Sequence, residues 1–216
     1  MGPMKRESKL VYLHGCDIEE TEKEYFSVLE ERNSLLVGGA AYPAGNSRSS
    51  IACQRALDIV TECFLGRPSS SDEAVEGIAG IINDEIYGMQ ENDKVFLCNL
   101  AALYVFKGKT RIYTAGDSAA MFFEKDELKN VWYGGGKALG SAAEPELIYS
   151  EEFELTEDTR FILVAGRNRD AAEETVAYYK ERNGKGPEDM AGFAGERHCS
   201  FADLYLPKRE KRGFLR

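Results

Sequence analysis

The chain is poor in the residues that build zinc sites, disulfide frameworks and membrane spans. Its 216 residues include two histidines, five cysteines and one tryptophan. With only His14 and His198 as imidazoles, a zinc centre is not expected. The cysteines are odd in number and none is spaced as CxxC, which indicates reduced thiols in a cytoplasmic protein. No apolar run approaches the ~20 residues that a membrane-spanning helix needs.

Positive charge is also scarce. The 27 lysines and arginines are outnumbered by 37 acidic residues, so the formal net charge is −10. A surface for nucleic acid or an anionic membrane needs a basic field, and this composition argues against both partners. The first residues, MGPMKRESK, contain no apolar core, so a signal peptide is not expected. We therefore expect one cytoplasmic domain over residues 1–216, with flexible ends at 1–8 and 207–216.

Hydrophobic periodicity predicts a few strands, two helices, a long run of strands, a third helix and a last strand. Asn46 or Ser47 is expected to cap the first helix, and Ser70 begins a capping-box pattern before the second. The predicted strands lie at 10–13, 25–29, 34–37, 95–106, 110–115, 119–124, 128–133 and 199–206, with a hairpin over 146–165 and a helix at about 170–182.

The links between the central strands are short, which implies that consecutive strands are antiparallel neighbours. A block of strands, two helices, an antiparallel meander, a helix and a strand is typical of an α+β protein. It does not fit the strict alternation of a doubly wound parallel sheet.

One stretch combines strand character with a candidate catalytic residue. Arg111 to Glu124 reads RIYTAGDSAAMFFE, a strand, a tight Gly-Asp-Ser turn and a second strand. Asp117 has two interpretations: it is a metal ligand, or it is a turn residue whose carboxylate accepts hydrogen bonds from its own backbone. The run Gly134 to Lys137 lacks the spacing of a phosphate-binding loop.

Four segments resemble one known family in the same order along the chain. Ile112 to Phe122 (IYTAGDSAAMF) is similar to a strand–GDS–strand motif, and Asp158 to Leu163 (DTRFIL) to a "GDRFLLCSDG" strand. Lys137 to Gly140 (KALG) resembles an "LG" segment, and Leu35 to Val37 precedes a glycine-rich loop as in a "VxDGxGG" entry. The family is that of the PP2C-type (PPM) metal-dependent serine/threonine phosphatases.

This resemblance implies both a fold and a chemistry. The implied fold is an α/β/β/α sandwich of two antiparallel sheets flanked by helices. The implied chemistry uses two Mn²⁺ or Mg²⁺ ions, held by carboxylates at the sheet edge, to activate a water that attacks phosphorus. Such hard cations require oxygen ligands.

The positions that carry the carboxylates in that family are mostly not acidic in this chain. Gly38 and Gly39 stand in place of its Asp-Gly pair, and Gly166 stands in place of the Asp of "SDG". Arg197 falls where the family has an Asp-Asn pair. Arg197 would oppose a cation, because two like charges at ~4 Å repel by about 1 to 4 kcal/mol depending on screening.

Two acidic candidates for metal ligands remain, Glu24 and Asp117, and two carboxylates are too few for a two-metal centre. No cofactor is therefore expected, and Mn or Mg is expected only if catalysis persists. Arg167, Arg169 and Arg197 lie near the lost ligands, and guanidinium groups bind phosphate bidentately. These arginines are either a phosphate-binding group or ordinary surface residues.

The preferred hypothesis is an inactive pseudophosphatase that acts as a binding or regulatory module in phosphoprotein signalling. Its partner is expected to be a phosphoprotein or another protein, and the sequence does not indicate an oligomeric state. The alternative is an active Mn/Mg-dependent serine/threonine phosphatase with a displaced metal site that uses Asp117, Glu24, Asp170 or Asp203. A third hypothesis is an α+β domain unrelated to phosphatases.

Overall fold

A computed structural model describes most of the chain, namely residues 9–14, 26–31, 34–43, 45, 49–66, 72–90, 94–106, 109–144, 147–154, 158–189, 192–193, 196 and 198–206. In chain order its elements are β1 (Lys9–His14), β2 (Phe26–Glu31), β3 (Ser34–Ala41), α1 (Ser50–Gly66), α2 (Asp72–Gly88), β4 (Asn99–Phe106), β5 (Lys109–Ala115), β6 (Ser118–Glu124), β7 (Glu127–Tyr133), β8 (Leu147–Tyr149), β9 (Phe153–Glu154), β10 (Thr159–Gly166), α3 (Arg169–Glu181) and β11 (Cys199–Leu206).

The strands form two antiparallel sheets. Sheet 1 has the order β1-β11-β10-β6-β7. Sheet 2 has the order β2-β3-β4-β5-β8, and β9 also pairs with β5. Alternate residues of a strand point to opposite faces, so each central strand supplies one row of side chains to each side of its sheet.

Three hydrophobic layers result from this alternation. The inner faces of the two sheets pack together through residues such as Val37, Leu103 and Phe161. Helices α1 and α2 cover the outer face of sheet 2, and α3 covers the outer face of sheet 1. The expected α/β/β/α sandwich of two antiparallel sheets flanked by helices is thus confirmed.

Helix α3 has well-defined ends. The Asn168 side chain caps its beginning by accepting a hydrogen bond from the backbone N–H of Ala171 at 2.9 Å. After its last turn, Gly184 adopts a φ of +79°, and its N–H donates to the Tyr179 carbonyl at 2.9 Å. These local signals explain why the sequence pattern predicted this helix to within about a residue.

Helix α2 is amphipathic, with Ala79, Ile82 and Ile86 buried at intervals of three and four residues. Ile82 and Ile86 belong to the hydrophobic cluster that covers the outer face of sheet 2. Helix α1 begins at Ser50, whereas its two predicted capping residues, Asn46 and Ser47, lie outside the described residues together with Ser70. No helix in the described ranges is long and apolar enough to cross a membrane.

Two predicted hairpins are wrong. Strands β5 and β6, on either side of Gly116-Asp117, lie in different sheets, so this link crosses the sandwich. The segment 146–165 is not a hairpin either: β8 and β9 pair with β5 in sheet 2, and β10 pairs with β6 and β11 in sheet 1. A short link is compatible with a corner between sheets as well as with a hairpin, and strand periodicity does not distinguish them.

Candidate functional site

One end of the sandwich brings together four segments that are distant in sequence. Ala41 at the end of β3 pairs with Asn99 at the beginning of β4, in sheet 2. The link between β5 and β6 crosses to sheet 1, where Gly166 ends β10 and donates its N–H to the Asp117 carbonyl at 2.8 Å. We call this end the sheet-end site and define it by Tyr42, Asn99, Asp117, Gly166 and Arg167.

Asp117 lies half-buried in the turn that joins the sheets. The turn is held by Ser118, whose hydroxyl donates to the Ala115 carbonyl at 3.0 Å and whose N–H donates to the Gly116 carbonyl at 3.0 Å. Burial raises the pKa of the Asp117 carboxyl, and nearby Asp170 raises it further, whereas Arg169 lowers it. The charged form of the Asp117 carboxyl is therefore less favourable here than in an exposed aspartate.

The first turn of α3 brings charged residues beside Asp117. The Nε of Arg169 donates to Oε1 of Glu173 at 2.6 Å, and both side chains are well exposed. Burial raises the pKa of the nearby Tyr133 hydroxyl, Glu173 raises it further, and Arg169 lowers it. Arg169 is thus engaged with carboxylates of its own chain at the rim of the site.

Arg167 takes a different direction from Arg169. Its backbone N–H donates to the His198 carbonyl at 3.2 Å. Its guanidinium carbon lies 4.8 Å from the centre of the Tyr42 ring, within the range of a cation–π contact. The Nε atom is buried and has no hydrogen-bond acceptor among the described residues. Arg167 therefore joins the end of sheet 1 to the end of sheet 2 and retains an unused donor.

Gly38 and Gly39 do not lie in the sheet-end site. They pair with Ser27 and Phe26 on one side and with Ala102 and Ala101 on the other, so they are in the interior of β3. The strand continues to Ala41, about 7 Å beyond Gly39 at the usual strand rise. Ladder hydrogen bonds on both sides keep the glycine pair extended, although glycines often break strands.

The residues at the end of β3 are Ala41 and Tyr42, rather than Gly38 and Gly39. Both are buried. Neither side chain offers a carboxylate.

Four further predicted site residues have separate outcomes. Glu24 and Arg197 lie outside the described residues. Asp170 lies in the first turn of α3, close enough to Asp117 to influence its pKa. Asp203 lies in the middle of β11, where it is fully buried and bonded to both Nε and Nη2 of Arg160. Asp203 is consequently not available to the sheet-end site.

The described residues of the site do not fit a two-metal centre. Hard divalent cations require several oxygen ligands, which usually include carboxylates. The strand ends carry Ala41, Asn99 and Gly166, none of which has a carboxylate, and the acidic residues described beside them are Asp117 and Asp170. Across the ranges that the structure describes, no cluster of three or more His, Cys, Asp or Glu side chains could hold a metal ion.

The structure also identifies residues that the sequence pattern missed. Asn83 of α2 accepts from the Gly140 N–H at 2.9 Å and donates to the carbonyls of Ala142 and Ala143. The loop 134–144, which contains the glycine run, is thereby held beside the sheet-end site, where Gly134 packs against the Gly116 carbonyl. Neutral amides have no periodic or spacing signal in a sequence, and only their contacts reveal them.

Comparisons with known proteins agree with this architecture. No family model matches the chain. No curated protein matches it either. Solved structures do match over nearly the whole chain, and the chain therefore has the fold of the PP2C-type (PPM) serine/threonine phosphatases.

Three of these structures illustrate the similarity. PppA, described as a key regulatory component of T6SS in Pseudomonas aeruginosa, has a TM-score of 0.62 and 14% identity, over 92% of this chain and 96% of PppA. MsPP, a PPM Ser-Thr phosphatase from Mycobacterium smegmatis, has a TM-score of 0.60 and 11% identity, with 93% and 98% covered. The catalytic domain of PstP, in complex with two manganese ions, has a TM-score of 0.58 and 15% identity, with 93% and 95% covered.

Proposed function

We propose that this chain is a pseudophosphatase, a binding and regulatory module that recognises a phosphorylated protein without hydrolysing it. The observation that carries the proposal is Arg167, whose side chain lies over the Tyr42 ring with a buried, unused Nε donor. A buried donor without an acceptor costs about 1 to 3 kcal/mol. An anionic oxygen at this position would recover that cost and form a charge-assisted hydrogen bond.

The remaining charges of the site restrict the kind of ligand. Asp117 and Asp170 lie at the same end of the sandwich, near Arg169, and the whole chain has a net charge of −10. A free anion would meet this acidic surrounding unfavourably. In a peptide whose phosphorylated residue is flanked by basic side chains, the phosphoryl group would lie at Arg167. The flanking basic side chains would then lie near the carboxylates of Asp117 and Asp170. We therefore propose a phosphorylated serine or threonine in a basic segment as the ligand.

Hydrolysis is not part of the proposed function, because the described residues of the sheet-end site offer too few carboxylates to hold two metal ions and activate water. The regulatory description of PppA is compatible with a regulatory role on this fold. A cytoplasmic location is also proposed: Cys63 and Cys98 are free thiols, as expected in a reducing compartment.

The test is a binding titration with three probes in the presence of EDTA. The probes are a phosphoserine peptide with flanking arginines, the same peptide without phosphate, and inorganic phosphate. We expect the phosphopeptide to bind and Arg167→Gln to weaken its binding by about 10- to 100-fold, the loss of one charge-assisted hydrogen bond. Arg182→Gln is the matched control, since Arg182 also lies over a tyrosine, Tyr178, but at the far end of α3.

Three outcomes would contradict the proposed ligand, a phosphorylated residue in a basic segment. The first is equal binding of the phosphorylated and unphosphorylated peptides by the unmodified chain. The second is equal weakening by Arg167→Gln and Arg182→Gln, because a loss of general positive charge would then explain the result. Stronger binding of inorganic phosphate than of the phosphopeptide would exclude a role for the flanking basic residues.

A second candidate function is an active Mn/Mg-dependent phosphatase with a displaced metal site. The observation that favours it is the closeness of Asp117 and Asp170, which form a pair of carboxylates at the sheet end. This candidate requires Mn²⁺-dependent release of phosphate from the phosphopeptide, lost in Asp117→Ala. We expect no such release above that of a control without protein.

A further inference from the structure

Asn99 connects the two sheets directly. It is the first residue of β4 in sheet 2, it is 1% exposed, and its register partner is Ala41. Its Nδ2 donates to the carbonyl of Gly166, the last residue of β10 in sheet 1, at 2.8 Å. A buried hydrogen bond between the ends of two sheets limits how far those ends can separate.

The amide of Asn99 is enclosed by backbone. A Cβ atom on Gly116 would overlap the Oδ1 of Asn99 and would lie 3.0 Å from the Cα of Ala138. Gly116 also has a φ of +68°, which disfavours any residue with a side chain. Oδ1 has no hydrogen-bond donor among the described residues. The Asn99 amide is therefore kept in a tight buried space with its Oδ1 unsatisfied, at an energetic cost, and its Nδ2 makes the hydrogen bond.

Gly166 is enclosed in the same manner. A Cβ atom there would lie 2.8 Å from the Asn168 carbonyl oxygen, 3.1 Å from that of Asp117 and 3.3 Å from the Ala171 Cβ. Real Cβ atoms almost never approach backbone oxygens so closely. The N–H of Gly166 is bonded to Asp117, and its carbonyl is bonded to Asn99. An aspartate at position 166 would have to displace the carbonyl oxygens of Asn168 and Asp117. The hydrogen bonds of the Gly166 backbone to Asp117 and Asn99 oppose such a shift.

Two more contacts join the sheets at the same end. The Ser200 hydroxyl, on β11 of sheet 1, donates to the Ala40 carbonyl, on β3 of sheet 2, at 2.6 Å. The Arg167 guanidinium lies over Tyr42, the residue that follows β3. All three links run from sheet 1 to sheet 2 and involve only groups of this chain.

We infer that Asn99, Gly116 and Gly166 form a closed joint that holds the two sheet ends together without a cation. The joint fixes the backbone that carries Tyr42 and Arg167 before any ligand arrives. The same packing leaves no room for a carboxylate at position 166, so a single substitution of Gly166 by aspartate would not restore a metal centre. This inference holds whether or not Arg167 binds a phosphoryl group.

The test of the joint is site-resolved hydrogen exchange in Asn99→Asp. At neutral pH the introduced carboxylate has no N–H to donate to Gly166, so we expect amides of residues 164–167 to exchange about tenfold faster than in the unmodified chain. When the carboxyl is protonated its O–H can donate to the same carbonyl. The exchange rate in Asn99→Asp divided by that in the unmodified chain, both measured at the same pH, should therefore fall towards one as the pH is lowered.

Asn83→Asp is the matched control, because Asn83 is equally buried and also donates its amide to backbone carbonyls. Its faster exchange should be confined to the loop 138–144 and α2. Unchanged exchange at 164–167 in Asn99→Asp, or an equal change there in Asn83→Asp, would overturn the inference. If Asn99→Asp does not fold, Ser200→Ala removes one link of the same end, and faster exchange at both 38–43 and 198–202 is then required.

A second experiment tests whether the space around Gly166 is closed to a side chain and to a metal ion. We expect Gly166→Ala and Gly166→Asp to lower the melting temperature by similar amounts, since both introduce the Cβ that the backbone excludes. Neither variant should bind Mn²⁺ in a calorimetric titration. Micromolar Mn²⁺ binding by Gly166→Asp, or slower exchange at 164–167 when Mn²⁺ is added to the unmodified chain, would show that the joint admits a metal and would refute the inference.

Discussion

Asp117 is an acidic residue in surroundings that do not favour its charge. It is half-buried, Asp170 lies nearby, and together these effects raise the pKa of its carboxyl against the opposing influence of Arg169. Its backbone carbonyl, by contrast, makes a defined contact by accepting from the Gly166 N–H at 2.8 Å. At the residue scale, Asp117 therefore stabilises the link between the two sheets through its backbone carbonyl.

Replacement of Asp117 by asparagine should make the chain more resistant to urea at neutral pH. The folded pKa is raised above the unfolded value, so the wild-type carboxylate destabilises the fold at high pH and this penalty disappears as pH falls through the folded pKa. The advantage of Asp117→Asn should accordingly shrink on acidification. Unfolding curves at several pH values measure it.

The control for that substitution is Asp126→Asn, in the exposed turn between β6 and β7, where no change in stability is expected. Asparagine tolerates the positive φ of 62° at this position as readily as aspartate. Lower stability of Asp117→Asn at neutral pH would indicate that the carboxylate takes part in a favourable contact, such as a bound cation.

At the scale of elements, a buried ion pair lies where α3 covers sheet 1. Arg160 of β10 binds the carboxylate of Asp203 on β11 through two nitrogens, and the Tyr179 hydroxyl of α3 donates to the same carboxylate at 3.4 Å. The Asp203 side chain is fully buried, whereas that of Arg160 is 22% exposed. Removal of the arginine would leave a buried charge without compensation.

Arg160→Met should therefore destabilise the chain by about 3 to 5 kcal/mol at neutral pH. Burial already raises the pKa of Asp203, and loss of the guanidinium raises it further. The deficit should be largest above the folded pKa of Asp203 and should decrease as the carboxyl becomes protonated. Chemical denaturation at neutral and acidic pH measures both quantities.

Arg169→Met provides the comparison, because Arg169 forms an exposed pair with Glu173, with side chains 74% and 46% accessible. Exposed pairs contribute about 0 to 1 kcal/mol, so its loss should change stability little at any pH. A similar effect of the two substitutions would mean that the Arg160 pair does not hold α3 and the sheet together.

At the scale of the whole molecule, the fold should not depend on divalent cations. A ligand that binds only the folded state at 100 times its Kd stabilises it by about 2.7 kcal/mol. We expect equal melting temperatures in EDTA and in Mn²⁺, at ionic strength matched with NaCl. A rise with Mn²⁺ that is absent in Asp117→Ala would reveal a specific metal site and favour the active phosphatase.

The elements of this fold were largely predictable, and their arrangement was less so. Strands β6, β7 and β11 and helix α3 follow from local periodicity and from caps such as Asn168, which depend on neighbours only a few residues away. The strand β4 begins four residues later than predicted, at Asn99, because residues 95–97 join no sheet ladder, and Val95 among them is exposed. The fold itself was identified through motifs in a consistent order rather than through periodicity.

The candidate site was predictable only in part. The sequence pointed to Gly166 and to the turn at Asp117, and the structure brings these two together. It pointed to Gly38 and Gly39 as well, and these lie inside β3. Asn99 was not recognised, since an asparagine at the beginning of a strand resembles any polar residue until its partner in the other sheet is known.

The sequence alone thus determined the type of most elements, the acidic character of the chain and the scarcity of carboxylates at the motif positions. These properties depend on composition and on contacts between near neighbours. Only the tertiary structure decided that Gly116-Asp117 joins two sheets, that Ala41 and Tyr42 end β3, and that Asn99 bonds to Gly166. Those features arise from packing between residues up to 67 positions apart, which no local pattern encodes.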